Sequence, residues 1–211
     1  SMEESPWVTA SALISSPSPW FGPTNVEGVP PGSTDSIHAR TLQHWEPCVA
    51  YAPMPPATFV DLNEIDLETL MFDREAVRAR NPHRYEFELL HGVVAFDPEA
   101  GLIVGIHQAT DDAFWVRGHI PGRPIFPGVL MIETAAQLCS FFWYESLPDQ
   151  KGFFGFGGIE NTRFRGVVNP GDTLVIVGKS VQVKPRRAIF DTQGFVDGKM
   201  VFESRILGVP V

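Results

Sequence analysis

A histidine and a glutamate in one short segment have the side chains best suited to acid–base chemistry. His119 lies in an eleven-residue stretch, residues 118–128, that contains three prolines and three glycines. Glu133 follows fourteen positions after the histidine, inside an almost wholly apolar run. Because an unpaired buried carboxylate costs roughly several kcal/mol, it rarely occurs without a partner or a task. We interpret the segment as a stiff loop that carries one member of an acid–base pair, followed by a buried helix that carries the other.

Each of these residues also has a purely structural interpretation. Glu133 could be a buried acid paired with an arginine such as Arg163 or Arg165, since structural ion pairs also place acids inside proteins. A single loop histidine is more often a satisfied structural residue than a base. The occurrence of both residues in one stiff segment favours a functional role.

The start of the predicted helix adds a third chemical group. Pro127 is of a type favoured at the first helical position, and Gly128 lets a ligand approach closely. The first amides of a helix lack backbone partners and lie at the positive end of its dipole. A thioester carbonyl placed there would have its developing enolate stabilised. Gln137, four residues after Glu133, shares the face of the acid.

The composition places limits on the partners and the location. The chain has 211 residues, 44% of them hydrophobic and 19% charged, and a net charge of −9, which argues against nucleic acid as the main partner. The two cysteines and the scattered histidines show no metal-ligand spacing, so we expect no metal site. The cysteine usage and the absence of a signal-peptide pattern predict a cytoplasmic protein. The apolar run at residues 125–147 contains Glu133, Gln137 and Glu145, which favours a core helix over a membrane span.

The charge divides the chain into two parts. Residues 1–72 contain nine acidic residues and one basic residue, and they hold ten of the nineteen prolines. We predict an acidic, proline-rich extension at residues 1–60 and a folded domain at residues 61–211. The extension is rich in aromatic side chains, which we expect to anchor it on the domain or on a partner subunit: Trp7, Trp20, Phe21, Trp45, Tyr51 and Phe59.

The patterns of apolar residues predict the elements of the domain. We expect a helix at residues 61–80 that ends before Pro82, a hairpin of strands at residues 85–96 and 102–108, and a long helix from about Pro127 to Trp143. Four strands follow, at residues 153–164, 173–183, 188–196 and 200–207, with a strong hairpin signal at Asp197–Gly198. Tight turns make the sheet largely antiparallel. The fold class is therefore α+β, an antiparallel sheet wrapped around one long apolar helix, with an exposed side that would favour dimerisation.

Three stretches of the chain resemble one family. Residues 118–137 resemble the signature of the 3-hydroxyacyl-[acyl-carrier-protein] dehydratases of fatty-acid synthesis, of the FabZ and FabA type, which have the hot-dog fold. Residues 81–87 resemble the Pro-His-Arg-Tyr-Pro-Phe motif of the family, and residues 156–172 resemble its strand and turn after the central helix. This sequence departs from the family pattern at Glu86, His91 and Ile120. The likeness covers about residues 73–207.

The resemblance implies roles for the matching positions. His119 corresponds to the catalytic histidine of the family, Glu133 to its catalytic acid, and Gly128 to the amide that binds the thioester oxygen. We expect further contacts with the substrate from the side chains around them: Val129, Gln137, Ile120, Phe126 and Phe156.

The resemblance also implies a reaction and partners. The expected reaction is dehydration of a 3-hydroxyacyl thioester to the trans-2-enoyl thioester, with no cofactor beyond the phosphopantetheine arm of an acyl carrier protein. The expected assembly is a homodimer with shared active sites, or a hexamer built as a trimer of dimers. Two alternatives stay open: a hot-dog thioesterase or hydratase that acts on coenzyme A esters, and a non-catalytic acyl-binding subunit.

Overall fold

The structure is a computed structural model that describes residues 56–211, and these residues belong to one compact unit, Met54–Val211. The five aromatic residues from Trp7 to Tyr51, which we predicted to anchor the extension, lie outside the described residues. The helices are α1 (Arg74–Arg80) and α2 (Gly128–Ser146), with two short 3-10 helices at Leu62–Glu64 and Tyr85–Phe87. The strands are β1 (Gly92–Asp97), β2 (Leu102–Gln108), β3 (Phe154–Phe164), β4 (Thr173–Lys184), β5 (Arg187–Val196) and β6 (Lys199–Pro210).

The six strands form one antiparallel sheet in the order β1-β2-β4-β5-β6-β3. The hairpin before α2 and the strands after it confirm the predicted architecture. Asp197 and Gly198 have φ angles of 49° and 72°, which suits a two-residue hairpin turn between β5 and β6. β1 and β3 form the two edges of the sheet. The hairpin before α2 therefore lies at one edge, and the first strand after α2 lies at the other.

Helix α2 packs against one face of the sheet, as predicted. Leu138, Cys139 and Phe141 are 0% exposed, because the helix is apolar on most sides and must be covered. Gly105 of β2 allows this close approach: an added Cβ would lie 2.6 Å from Leu138 Cδ1 and 3.1 Å from the backbone oxygen of Gly92. None of the helices formed by residues 56–211 is long and apolar enough to cross a bilayer.

The opposite face of the sheet carries a second apolar cluster. Its buried members come from the strands, and they are covered by a segment that precedes α1, the cover segment, residues 57–67. Gln193 of β5 is 2% exposed and holds this segment at two points. It accepts a hydrogen bond from the Phe59 amide at 3.0 Å and donates one to the Ala57 carbonyl at 2.9 Å. Phe59 therefore lies on the domain.

The predicted helix at residues 61–80 is wrong in its first two thirds. Only Arg74–Arg80 is α-helical. The side chains of Asp61 and Asp66 accept hydrogen bonds from backbone amides two or three residues on, an arrangement that competes with helix formation. The apolar residues of the cover segment contact the sheet, where they pack on the second cluster.

The predicted strand at residues 85–96 is wrong in its first half. β1 starts at Gly92, and Tyr85 has a φ of 59°, which no regular strand allows. The amides of Leu89 and Leu90 donate to the side chain of Gln137 on α2 instead of to a neighbouring strand. Gln137 thus accepts the hydrogen bonds that the alternating pattern predicted to lie within a sheet.

Candidate functional site

Glu133 lies on α2 with its side chain 20% exposed. Its Oε1 accepts a hydrogen bond from Gln137 Nε2 at 2.9 Å and lies 3.2 Å from His83 Nε2. The structural alternative, an ion pair with Arg163 or Arg165, does not occur: Arg165 pairs with Glu203 instead. Burial raises the pKa of Glu133, but the hydrogen bonds from His83 and Gln137 and the charge of His83 together lower it to below its ordinary value.

Gln137 connects the acid to the chain segment before β1. Its Oε1 accepts from the amides of Leu89 at 3.1 Å and Leu90 at 3.2 Å, and its Nε2 donates to the Phe87 carbonyl at 2.9 Å as well as to Glu133. The side chain is 1% exposed. Because both ends of the amide are occupied, its orientation is determined, and the NH₂ group must face the carboxylate.

The loop after α1 places His83 beside the acid. Asn81 donates from Nδ2 to the Gln137 carbonyl on α2 at 2.8 Å. Arg84 donates to the carbonyls of Arg78, Asn81 and His83 at 3.1, 2.8 and 2.5 Å, which satisfies orphan groups at the end of α1. The sequence resemblance included the motif at residues 81–87, but no role was predicted for His83. The signal was present, because the resemblance in residues 81–87 included the histidine.

His83 and Glu133 both line a neighbouring cavity. The cavity has a volume of about 80 Å³ and is lined by His83, Glu133, Gln137 and Ser140 among otherwise apolar or glycine residues of α2, β3 and β6. Phe156, a predicted substrate contact, lines it and is 46% exposed. The cavity therefore presents a carboxylate at one side of a mainly apolar space.

His119 lies in the loop before α2 and is not among the residues that line this cavity. Its Nδ1 lies 2.8 Å from the Ile125 carbonyl, and its backbone amide donates to the Trp115 carbonyl at 2.8 Å. If Nδ1 donates to that carbonyl, Nε2 has a lone pair available as a base. Ile120, the next predicted contact, is 52% exposed.

The start of α2 presents free amides, as predicted. Pro127 is the N-cap residue, not the first helical residue, and the first backbone hydrogen bond of the helix is donated by Leu130. An added Cβ on Gly128 would lie 2.9 Å from the Phe164 ring, so any larger residue there would displace that half-exposed side chain. Val129 is 71% exposed.

Phe126 is a core residue in this chain. It is 2% exposed. Its ring stacks on His107, with centroids 4.5 Å apart, and contacts Trp115 edge-on, with centroids 5.4 Å apart. His107 in turn stacks on His91 at 4.9 Å. The role of Phe126 in substrate binding remains a prediction, and its observed contacts are with the protein interior. Among residues 56–211, no three metal-ligating side chains cluster.

The geometry now defines a class of protein. A six-stranded antiparallel sheet wrapped around one long helix, with a partly buried acid on that helix, is a hot-dog fold with a candidate acyl site. A family model described as FabA-like domain matches residues 81–205. The chain belongs to this family.

Relatives and solved structures agree with this assignment. The 3-hydroxyacyl-[acyl-carrier-protein] dehydratase FabZ of Fusobacterium nucleatum is 37% identical over 134 residues, which cover 64% of this chain and 94% of the relative. FabZ of Rickettsia bellii is 42% identical over 125 residues, 59% of this chain and 86% of the relative. The dehydratase heterocomplex ApeI:P from Xenorhabdus doucetiae has a similar fold, with a TM-score of 0.56 and 16% identity, over 64% of this chain and 90% of that one.

Proposed function

We propose that this protein dehydrates 3-hydroxyacyl-[acyl-carrier-protein] to trans-2-enoyl-[acyl-carrier-protein] in fatty-acid or related acyl-chain biosynthesis. The observation that carries the proposal is Glu133, an acid held by Gln137 and His83 beside a mainly apolar cavity. Such a cavity suits a hydroxyl group on an apolar chain, because it places a carboxylate beside a mainly apolar surface. The names of the relatives at 37% and 42% identity supply the carrier and the reaction.

In this reaction His119 removes the proton from C2 of the thioester. The thioester oxygen gains charge as the enolate forms, and the free amide at the start of α2, at Gly128, stabilises that charge. The C3 hydroxyl then leaves as water after it takes a proton from the acid at Glu133, and the C2–C3 double bond forms. The proposed chemistry uses protein groups and the thioester alone.

We also propose that the complete site forms between two copies of the chain. In one chain, the cavity at Glu133 does not include His119. Edge strand β3 exposes Phe156 at 46%, Ile159 at 48% and Phe164 at 50%, and an exposed apolar edge strand favours pairing with another chain. We infer a homodimer in which the loop of one subunit brings His119 to the Glu133 cavity of its partner.

The second partner in the proposal is the acyl carrier protein. The turn between β4 and β5 exposes Lys184, Arg186 and Arg187, a basic group on a chain whose net charge is −9. Basic side chains suit an acidic carrier and the phosphate of its phosphopantetheine arm. Measured affinity for the carrier tests this role.

Replacement of His119 tests the function. Loss of a general base costs about 10²–10⁴ in rate, so we expect His119→Ala to reduce kcat for dehydration of 3-hydroxyacyl-[acyl-carrier-protein] by that factor. Formation of enoyl product is followed by mass spectrometry. His91→Asn is the control for loss of a histidine outside the site, and we expect it to keep normal turnover at neutral pH.

Three results would contradict the proposal. Full dehydratase activity of His119→Ala would remove the assigned base. A wild-type protein that hydrolyses coenzyme A thioesters but does not dehydrate the carrier-bound substrate would instead indicate a thioesterase. Tight acyl binding without turnover would indicate the non-catalytic alternative.

A further inference from the structure

The acid of the site shares an oxygen atom with a second titratable group. His83 Nε2 lies 3.2 Å from Glu133 Oε1, and both side chains are 20% exposed. Both residues line the same cavity, so both are within reach of a group bound in it. Gln137 donates to the same Oε1. Glu133 Oε2 thus remains for the substrate.

The other ring nitrogen of His83 faces the interior. His83 Nδ1 and Asn81 Oδ1 are both buried without a protein hydrogen-bond partner, and the two residues line one small cavity of about 10 Å³. The Asn81 amide is oriented by its Nδ2 bond to the Gln137 carbonyl, so Oδ1 is an acceptor on that side. A cavity of that size fits a single bridging water. Glu133 Oε1 on one side of the ring, and a water that donates to Asn81 Oδ1 on the other, can each accept from a ring N–H, so the surroundings accommodate a proton on both nitrogens.

The charged groups around the pair are few. Behind His83, the small cavity is lined by Arg74, Arg78 and Glu88, and Glu88 pairs with both arginines. Arg84 uses its guanidinium on three backbone carbonyls. From α2, only Glu133 is titratable among the residues that line the larger cavity, and β3 and β6 contribute glycine and apolar residues there. Glu133 is therefore the negative charge nearest to His83.

We propose, resting on the proposed function, that the acid of this site is the His83–Glu133 pair, which holds one transferable proton between Nε2 and Oε1. The hydrogen bonds from His83 and Gln137 favour the charged form of Glu133 and lower its pKa despite burial, so the shared proton does not reside on Glu133 alone. His83 supplies it. His83 is thus a proton-sharing partner of the catalytic carboxylate.

The proton balance of the reaction follows. His119 takes the C2 proton, and the electron pair of that bond forms the enolate. The C3–O bond then breaks, its electron pair leaves with the hydroxyl, and the hydroxyl takes the proton of the pair and departs as water. The pair is left as neutral His83 and the Glu133 carboxylate, one proton poorer. The proton on His119 returns to solvent, and the pair regains one before the next turnover.

The test compares three substitutions at one position with the wild type. In His83→Gln, the amide can still donate a hydrogen bond to Glu133 but has no proton to transfer. We expect kcat for 3-hydroxyacyl-[acyl-carrier-protein] to fall by about 10²-fold or more, with KM little changed. We also expect the alkaline limb of the pH–rate profile to move to lower pH, since only Glu133 then holds the proton. His83→Asn and His83→Ala should lose the same activity.

The outcomes separate this inference from the proposed function. If His83→Gln keeps the wild-type kcat and pH profile while His83→Ala is impaired, His83 only positions Glu133 and proton sharing is overturned. If all three substitutions are silent, His83 has no part in the reaction. An inactive wild type, or a fully active His119→Ala, contradicts the proposed function itself. Thermal unfolding of each variant shows whether the fold is kept, and the pH profile of any folded variant decides the question.

Discussion

At the scale of single residues, Gln137 uses the full hydrogen-bonding capacity of its side-chain amide. Two backbone amides donate to its oxygen, and its nitrogen donates to the Phe87 carbonyl and to Glu133. A glutamate of the same shape would place a second negative charge beside Glu133 and would have no donor for either acceptor. This position therefore links the identity of one side chain to the path of the chain before β1.

The stacked pair His91 and His107 predicts a dependence of stability on pH. Burial, followed by the charge of His107, lowers the pKa of His91 to about 4, and burial lowers the pKa of His107. Since the unfolded chain binds protons near pH 6.5 and the folded protein does not, the free energy of unfolding should fall as the pH drops from about 6.5 towards 4. The His91 contribution is on the order of 3 kcal/mol.

Denaturant unfolding at a series of pH values between 5 and 7 measures this effect. In His91→Asn, the amide oxygen can replace Nδ1 as acceptor for the Gln108 amide, a bond of 2.8 Å in the wild type. We expect the variant to lose part of the pH dependence in this range. An unfolding free energy that is equally pH-dependent in both proteins would show that His91 binds its proton equally well in the folded and unfolded states.

At the scale of elements, the seat of α2 on the sheet depends on Gly105. A Cβ there would meet side chains of Leu138 and Leu90 at 2.6 and 2.8 Å and the Gly92 backbone at 3.1 Å. Overpacking of this kind costs about 1–3 kcal/mol. We expect Gly105→Ala to lower the free energy of unfolding by that amount in denaturant titrations.

The matched control is Gly158→Ala. Gly158 is also a strand glycine, but an added Cβ would lie 3.9 Å from the nearest atoms, both of Leu207. We expect its effect on stability to be much smaller. Equal losses in the two variants would mean that the contact between α2 and β2 adapts freely and does not limit the fold.

The elements also show what sequence can and cannot predict. The limits of β2 were predicted to the residue, and α2 within three residues of its end, because periodic apolar patterns and turn residues determine them locally. The path of the chain before β1 was not predicted, because its backbone amides donate to Gln137, a residue nearly fifty positions away. For the same reason, the pairing of His83 with Glu133 could not be read from spacing. It arises where two distant segments meet.

At the scale of the whole molecule, the proposed sharing of the site between subunits makes a prediction about mixed dimers. A heterodimer of His119→Ala and Glu133→Gln subunits, purified through two different tags, has one site with both residues intact if the residues come from different subunits. We expect it to have about half of the wild-type activity. The reciprocal heterodimer, wild type with the double variant, should be inactive.

The two heterodimers carry the same substitutions in total, so differences in folding cancel. If each subunit provides both residues of its own site, the results exchange: the first heterodimer is inactive and the second has half activity. Size-exclusion chromatography with light scattering establishes the number of subunits. A monomer with full activity contradicts the shared site.

The cover segment has a consequence for the choice of a minimal fragment. The family match begins at residue 81, but Phe59, Leu62 and Ile65 cover apolar strand residues on the second face of the sheet. A protein shortened to the family boundary would expose that surface to water and lose the partners of Gln193. Such a fragment would aggregate for a reason unrelated to its active site. The smallest unit worth expressing therefore begins before Ala57, well ahead of the part that the family has in common.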